Sequence, residues 1–312
     1  MSEPRINSVR HFLCGLAMGA ADAVPGISGG TVALVLGIYR RLVDAISQVN
    51  GQTFHLLRKR DWKALAERFD IWFLLALLAG VACGILTFVT ILHDLIGEPD
   101  HPARTKPLVY ATFFGAIAGS GYLVTRMIHP KNRQHLVLCI VLAIVGGGFA
   151  YWLTSLPALN DFTTAPNPLV SFLLGAIAIC AMILPGISGS YLLLILGAYH
   201  YFSGIPKAMA KGQLVMEDVF AFACFALGCL FGLLSFSKFL KWLLHQHEAA
   251  TLSLMGGFMI GALKKLWPWD ESAPVENPYP HETISCFALM VLAAAVVIAI
   301  DYIARPKAAD PL

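Results

Sequence analysis

Residues 71–92, IWFLLALLAGVACGILTFVTIL, run for 22 positions without a charged side chain. A second stretch, HLVLCIVLAIVGGGFAYWL from His135, carries none either, counting histidine as neutral. About 20 consecutive apolar residues cross the hydrocarbon core of a bilayer as a helix. Only 13% of the 312 residues are charged, against about 25% in an ordinary soluble domain. The chain therefore reads as an all-α polytopic membrane protein. The excess of three positive charges is small and suggests no nucleic-acid partner. The N-terminal apolar stretch lacks a small-residue cleavage pattern, so it reads as a first membrane segment rather than a cleaved signal. All seven cysteines fall inside apolar runs, where a thiol packs as a small hydrophobe.

Within this oily chain one phrase occurs twice. AVPGISGGTVALVLGIY runs from Ala23 to Tyr39, and ILPGISGSYLLLILGAY from Ile183 to Tyr199. The surrounding features repeat as well. G-x-x-x-G spacings at Gly80/Gly84 and Gly115/Gly119 in the first half match Gly228/Gly232 and Gly257/Gly261 in the second. Such spacings let membrane helices approach closely. We read two repeats. The first, residues 1–156, holds a broken-helix hairpin at 11–39, a basic surface loop at 40–70 and helices at 71–96, 107–128 and 136–156. A linker at 157–167 follows. The second, 168–312, holds a hairpin at 168–199 and helices at 219–244, 250–267 and 283–304. Trp72, Trp152, Trp242, Trp267 and Trp269 lie at or just beyond block ends, where indoles prefer the interface.

Proline and glycine split block 11–39 into about 14 and about 10 residues, each too short to span roughly 30 Å. The block either crosses once with a kink or enters and returns. Two short full crossings would have the same parity as the re-entrant hairpin. The re-entrant case, with an inner N-terminus, places 16 of the 22 Lys and Arg residues inside and six outside. The single-crossing case gives 14 and eight at best. The positive-inside rule favours the first, with the two repeats inverted and both termini cytoplasmic.

Non-helical backbone at membrane depth must be buried in protein or line a polar cavity. Transporters built from inverted repeats use broken helices to carry their sites. In each phrase a new half-helix starts near Ser28 or Ser188, with unpaired N–H groups, flexible glycines and hydroxyls from Ser28, Thr31, Ser188 and Ser190. That set suits an anion, phosphate above all. A tight helix crossing is the plain alternative. Asp22, ahead of the first break, is a costly intramembrane acid; Met182 stands in its place in the second copy. Asp22 either carries a functional charge or caps the local backbone. Lys264 and Lys265 either snorkel to the interface or partner a phosphate. Arg40 and Arg41 either enforce topology or provide an inner counterpart. There is no P-loop pattern, so direct ATP use is not expected, nor any metal or cofactor. The sequence does not specify an oligomeric state.

The doubled P-G-I-S-G-[GS] phrase, the G-x-Y that follows at Gly37/Tyr39 and Gly197/Tyr199, and GALKKLWPW at 261–269 resemble the PopT-type undecaprenyl-phosphate translocases. The resemblance runs over nearly the whole chain. It implies a bacterial inner-membrane protein, not an enzyme, that returns undecaprenyl phosphate from the outer to the inner leaflet for reuse in peptidoglycan and other envelope polymers. The head-group residues it implies are Gly26, Ser28, Gly29 and Gly30, with Gly186, Ser188, Gly189 and Ser190. A carrier of a small soluble anion, or a polyprenyl-diphosphate phosphatase, are the rival readings. A phosphatase needs a nucleophile with a base or an acid–arginine cluster, and neither phrase contains His, Glu or Arg.

Overall fold

The computed structural model describes residues 5–23, 28–96, 105–210, 212, 215–269 and 280–304. Every regular element among them is a helix. In the first half these are α1 (Arg5–Asp22), α2 (Gly29–Val35), α3 (Tyr39–Ile46), α4 (Gly51–Lys59), α5 (Trp62–Arg68), α6 (Ile71–Ile96), α7 (Lys106–Met127) and α8 (Arg133–Leu153). The second half has α9 (Pro168–Ile183), α10 (Gly189–Ile195), α11 (Tyr199–Ala210), α12 (Met216–Gln246), α13 (Glu248–Ala262) and α14 (Pro280–Ala304), with a 3-10 turn at Leu263–Leu266. The order long helix, seven-residue helix, short helix, then three longer helices occurs twice. Only the first copy inserts α4 and α5, within the basic 40–70 segment.

Several helix starts follow from local chemistry. Asn132 accepts the His135 N–H to open α8, and Asn167 caps α9 ahead of Pro168. A side-chain oxygen at this position satisfies an N–H that has no helical partner. Proline fits the first turn, where its missing N–H costs nothing.

Among the described residues five helices are long and apolar enough to cross a bilayer, over Ile71–Val89, Lys106–Met127, Arg133–Leu153, Met216–Gln246 and Thr283–Tyr302. Their outer faces carry large exposed hydrophobics, among them Trp72, Leu86, Phe231 and Val291. Water would penalise such a belt, whereas lipid accepts it. The fold is that of a multi-pass membrane protein.

With apolar groups on both sides of each helix, close backbone contact decides the packing. A Cβ on Gly80 would lie 2.1 Å from the Phe12 carbonyl oxygen, and one on Gly228 1.9 Å from that of Phe172. Only glycine allows these crossings. Along α1 and α6 the contacts advance together, Gly15 at Leu77 and Gly19 at Val81, so the two helices run parallel. Contacts along α9 and α12 do the same, Phe172 with Gly228 and Ala176 with Gly232. The third and fourth long helices are exchanged between halves. α7 runs parallel to α14, with Gly115 at Met290 and Gly119 at Ala294. α8 runs parallel to α13, with Ala143 at Gly257 and Gly147 at Gly261. At the centre α7 and α13 cross in opposite senses: Gly121 faces Ile260 while Gly256 faces Val124.

After each break the chain comes back beside the segment it left. Arg41 Nη1, on α3, lies 2.9 Å from Nε2 of His11 in the first half of α1. Beyond α10 the same return is made by backbone bonds to the segment preceding α9. The Leu159 N–H donates to the Ile195 carbonyl at 2.8 Å, and the Phe162 N–H to that of Gly197 at 2.9 Å.

Candidate functional site

The starts of the two short helices after the breaks are largely buried, and the two phrases lie against each other. Ser28 and Thr31 are each 2% exposed. The Gly186 N–H donates to Thr31 Oγ1 at 2.9 Å, and Tyr39 OH donates to the Ile183 carbonyl at 2.8 Å. The Ser28 hydroxyl faces the Met182 and Leu184 carbonyls at 3.5 and 3.4 Å. The start of α2 is thus packed on the break of the second copy. Gly26, named above as a head-group residue, lies outside the described residues, as does Pro25.

The two copies differ in what their half-helices hold. In the first, the Gly29 N–H donates to Asp22 Oδ1 at 2.6 Å, the Gly30 N–H to Ser28 Oγ at 3.2 Å and the Thr31 N–H to the Ser28 carbonyl at 2.9 Å. The amides that the sequence offers to an anion are taken by the protein's own carboxylate, hydroxyl and carbonyl. A Cβ on Gly29 would meet the Asp22 carboxylate at 2.6 Å. Asp22 thus caps the backbone at the start of α2.

In the second copy Met182 replaces the acid and is 47% exposed. The chain turns at Gly186, whose φ of +86° is a conformation open to glycine. Ser188 then caps α10, with Oγ accepting from Tyr191 N–H at 3.4 Å and bonded to Ser190 Oγ at 2.9 Å. Ser188 is buried and Ser190 exposed. Gly189 packs on protein: a Cβ there would sit 2.4 Å from both the Ala178 carbonyl oxygen and Met182 Cγ. Its small size serves the turn's own packing.

A narrow cleft opens beside this turn. Gly186, Ser188 and Tyr191 line it with Thr154 and Lys265. Half-buried Lys265 places its Nζ 5.0 Å from the Tyr191 ring centroid, within cation–π range. Tyr191 OH donates to the Thr154 carbonyl at 3.1 Å. Lys264 turns aside, hydrogen-bonded to Ser155 Oγ and 4.3 Å from the Tyr151 ring. Tyr191 and Thr154 were not singled out from the sequence. Tyr191 occupies the place of Thr31 when the phrases are aligned, so the repeat itself held that signal. Thr154, 37 residues away, had none.

The basic pair Arg40 and Arg41 points elsewhere. Arg40 forms an ion pair with Glu248. Arg41 Nε pairs with Asp70 Oδ2 at 2.5 Å, and its guanidinium lies 4.4 Å from the Phe73 ring centroid. These contacts tie α3 to the α12–α13 turn and to the start of α6.

The arrangement defines a class: a multi-pass membrane protein of two like halves, with two broken helices in contact and a narrow lysine-flanked cleft beside one of them. The chain belongs to the VCA0040-like family, described as undecaprenyl phosphate translocase-like, whose pattern matches residues 18–284. It is 38% identical over 272 residues to a polyprenyl-phosphate transporter of Vibrio cholerae serotype O1, covering 87% of this chain and 82% of that one. It is 26% identical over 281 residues to a polyprenyl-phosphate transporter of Staphylococcus aureus, covering 83% and 86%. No solved structure matches significantly.

Proposed function

We propose that the protein moves the phosphate head of undecaprenyl phosphate from the outer to the inner leaflet of the bacterial inner membrane, returning the carrier for cell-envelope synthesis. The observation that carries this reading is the second-copy cleft. The Ser188 hydroxyl, a tyrosine and a lysine converge there at a membrane-embedded break, with Ser190 bonded to Ser188 from outside the cleft, and Asp22 has no counterpart. Charge-assisted hydrogen bonds from such groups suit a phosphate monoester. Ser188, Ser190, Tyr191 and Lys265 hold the head group in this reading, with Gly186 and Gly189 shaping the turn. Ser28, Gly29, Gly30 and Thr31 form the wall through which the head passes to the other side, and Asp22 guards it. The polyprenyl tail stays in lipid, so only the head needs shelter across roughly 30 Å. The protein is a carrier in this reading and breaks no bond. Among the described residues, no His, Cys, Asp or Glu lines the cleft.

The topology that fits is two inverted repeats with re-entrant hairpins and cytoplasmic termini. Three observations support it. Each broken segment returns to the side it left. The close pairs α1/α6 and α9/α12 are both parallel, while α7 and α13, the equivalent helices of the two halves, cross in opposite senses. The basic residues partition 16 to six.

The test is leaflet exchange of polyprenyl phosphate in proteoliposomes, with polyprenyl diphosphate as competitor. Exchange above that of empty vesicles, reduced by Lys265→Gln, is expected. Protein-dependent movement of soluble phosphate without any polyprenyl lipid, or no exchange at all, would overturn the reading.

A further inference from the structure

A second cleft, this one polar in its lining, lies at the opposite ends of α8 and α13. The first cleft touches Leu153 and Ala262, at the C-terminal ends of these helices; the second touches Asn132 and Ala249, beside their starts. It encloses about 620 Å³ between the α7–α8 loop and the α12–α13 turn. Its chemistry is one-sided. His129, Lys131, His135, His245 and His247 line it, and Glu248 is the single acid among its lining residues. Glu248 is already ion-paired to Arg40. An incoming anion therefore meets the Lys131 ammonium and a set of imidazoles, and no unpaired carboxylate.

Backbone contacts fix several of the rings. His129 Nδ1 lies 2.9 Å from the Met127 carbonyl and His245 Nδ1 2.8 Å from that of Lys241, so both Nδ1 atoms carry protons. His135 Nδ1 accepts the Lys131 N–H at 3.2 Å, which leaves the proton of a neutral ring on Nε2 as a donor. Met127 and Leu138 add apolar surface to the lining. Trp242, 51% exposed, stands edge-on to His247 at 5.6 Å. An exposed indole beside the ends of spanning helices marks head-group depth. The cleft thus offers the Lys131 ammonium and the His135 Nε2–H as donors at the level of lipid phosphates.

We propose that this cleft is a phosphate-binding site on the membrane face opposite the Lys265 cleft, taking a lipid phosphomonoester head group or free phosphate. Arg40 is its reserve cation: a bound phosphate competes with Glu248 for the guanidinium, and Arg40 sits on α3, next to Tyr39, which bonds the second break. The binding claim does not depend on the transport reading. That reading adds only that this is where the head group leaves.

Carbethoxylation of the full-length protein in detergent tests it, with labelling rates of individual histidines followed by peptide mass spectrometry. The probes are inorganic phosphate, short-chain phosphatidic acid and, as control, short-chain phosphatidylcholine. His55 and His200, both exposed and outside the cleft, are internal references. Saturating ligand should slow labelling of His129, His135, His245 and His247 at least threefold and leave the references unchanged. Lys131→Gln should remove most of the protection and Lys131→Arg should restore it. Protection by phosphatidic acid alone assigns the site to a lipid head group; protection by inorganic phosphate as well assigns it to phosphate from either source. No protection by either, equal protection by phosphatidylcholine, or undiminished protection in Lys131→Gln would overturn the proposal. Because no transport is measured, failure here leaves the leaflet-exchange result to stand or fall separately.

Discussion

The amide of Gly186 donates across 2.9 Å to the hydroxyl of Thr31, 155 residues earlier in the chain, and so joins the two copies of one phrase. Both groups are buried, so no water can replace a lost partner cheaply. Thr31→Val keeps the shape and removes the acceptor. It should cost about 1–3 kcal/mol, the penalty for an unsatisfied buried amide. Thr31→Ser should stay close to the parent. Thermal unfolding in detergent, followed by tryptophan fluorescence, distinguishes the two; an unchanged midpoint for Thr31→Val would show that the bond adds nothing.

Asp22 separates cap from charge. Asn at this position can still accept the Gly29 N–H, so Asp22→Asn should insert and unfold like the parent, while Asp22→Ala should lose about 1 kcal/mol, the usual cost of removing a side-chain acceptor at a helix start. If the carboxylate guards the passage, Asp22→Asn changes the leaflet-exchange rate. A wild-type rate for Asp22→Asn across a pH series would reduce Asp22 to a structural cap.

The Lys265 cleft makes a binding prediction. Ser188→Ala and Lys265→Gln should each weaken polyprenyl-phosphate affinity by about 1–3 kcal/mol, the range for hydrogen bonds to a charged group. Lys264→Gln should do less, since Lys264 is held by Ser155 and Tyr151. Binding to the purified protein in nanodiscs is the readout. Equal effects at 264 and 265 would argue for diffuse charge instead of a defined site.

Glycines at helix crossings should respond sharply. Gly228→Val pushes a side chain into the Phe172 carbonyl and must part α9 from α12; overpacking of this kind costs about 1–3 kcal/mol or more. At Gly148 nothing lies within 4 Å of an added Cβ. Gly148→Ala should be neutral or stabilising by up to about 1 kcal/mol, the helix-propensity difference. Thermal stability of the two variants side by side checks the packing.

Topology is testable with single cysteines in a cysteine-free background. One at 157–165 should react with an impermeant thiol reagent added outside intact cells, and one at 129–134 should not. The reverse pattern would invert the orientation, and labelling of both from one side would break the inverted-repeat reading.

The sequence by itself determined the solvent, the repeat and the points of close contact. Charge-free runs as long as 71–92 suit only a bilayer, because lipid leaves no alternative for an apolar face on every side. The doubled phrase announced two breaks, and each of the four G-x-x-x-G spacings falls at a helix crossing. Such signals are legible because they are local: length, composition and a four-residue period suffice. Tertiary structure decided which backbone each glycine meets. A stripe of small residues says that something can come close, not what, and so the exchange of α7 with α14 and α8 with α13 between halves had no sequence trace. It also decided how the two copies of the phrase, which match at nine of 17 positions, differ in use. The residue just ahead of each phrase, Asp22 in one and Met182 in the other, fills the first half-helix with the protein's own carboxylate and leaves the second beside Lys265, a cation 77 residues downstream of Ser188. Arg40 and Glu248, 208 residues apart, likewise found each other only in the fold. Charges pair by distance in space, and long-range proximity is set by packing of the whole chain.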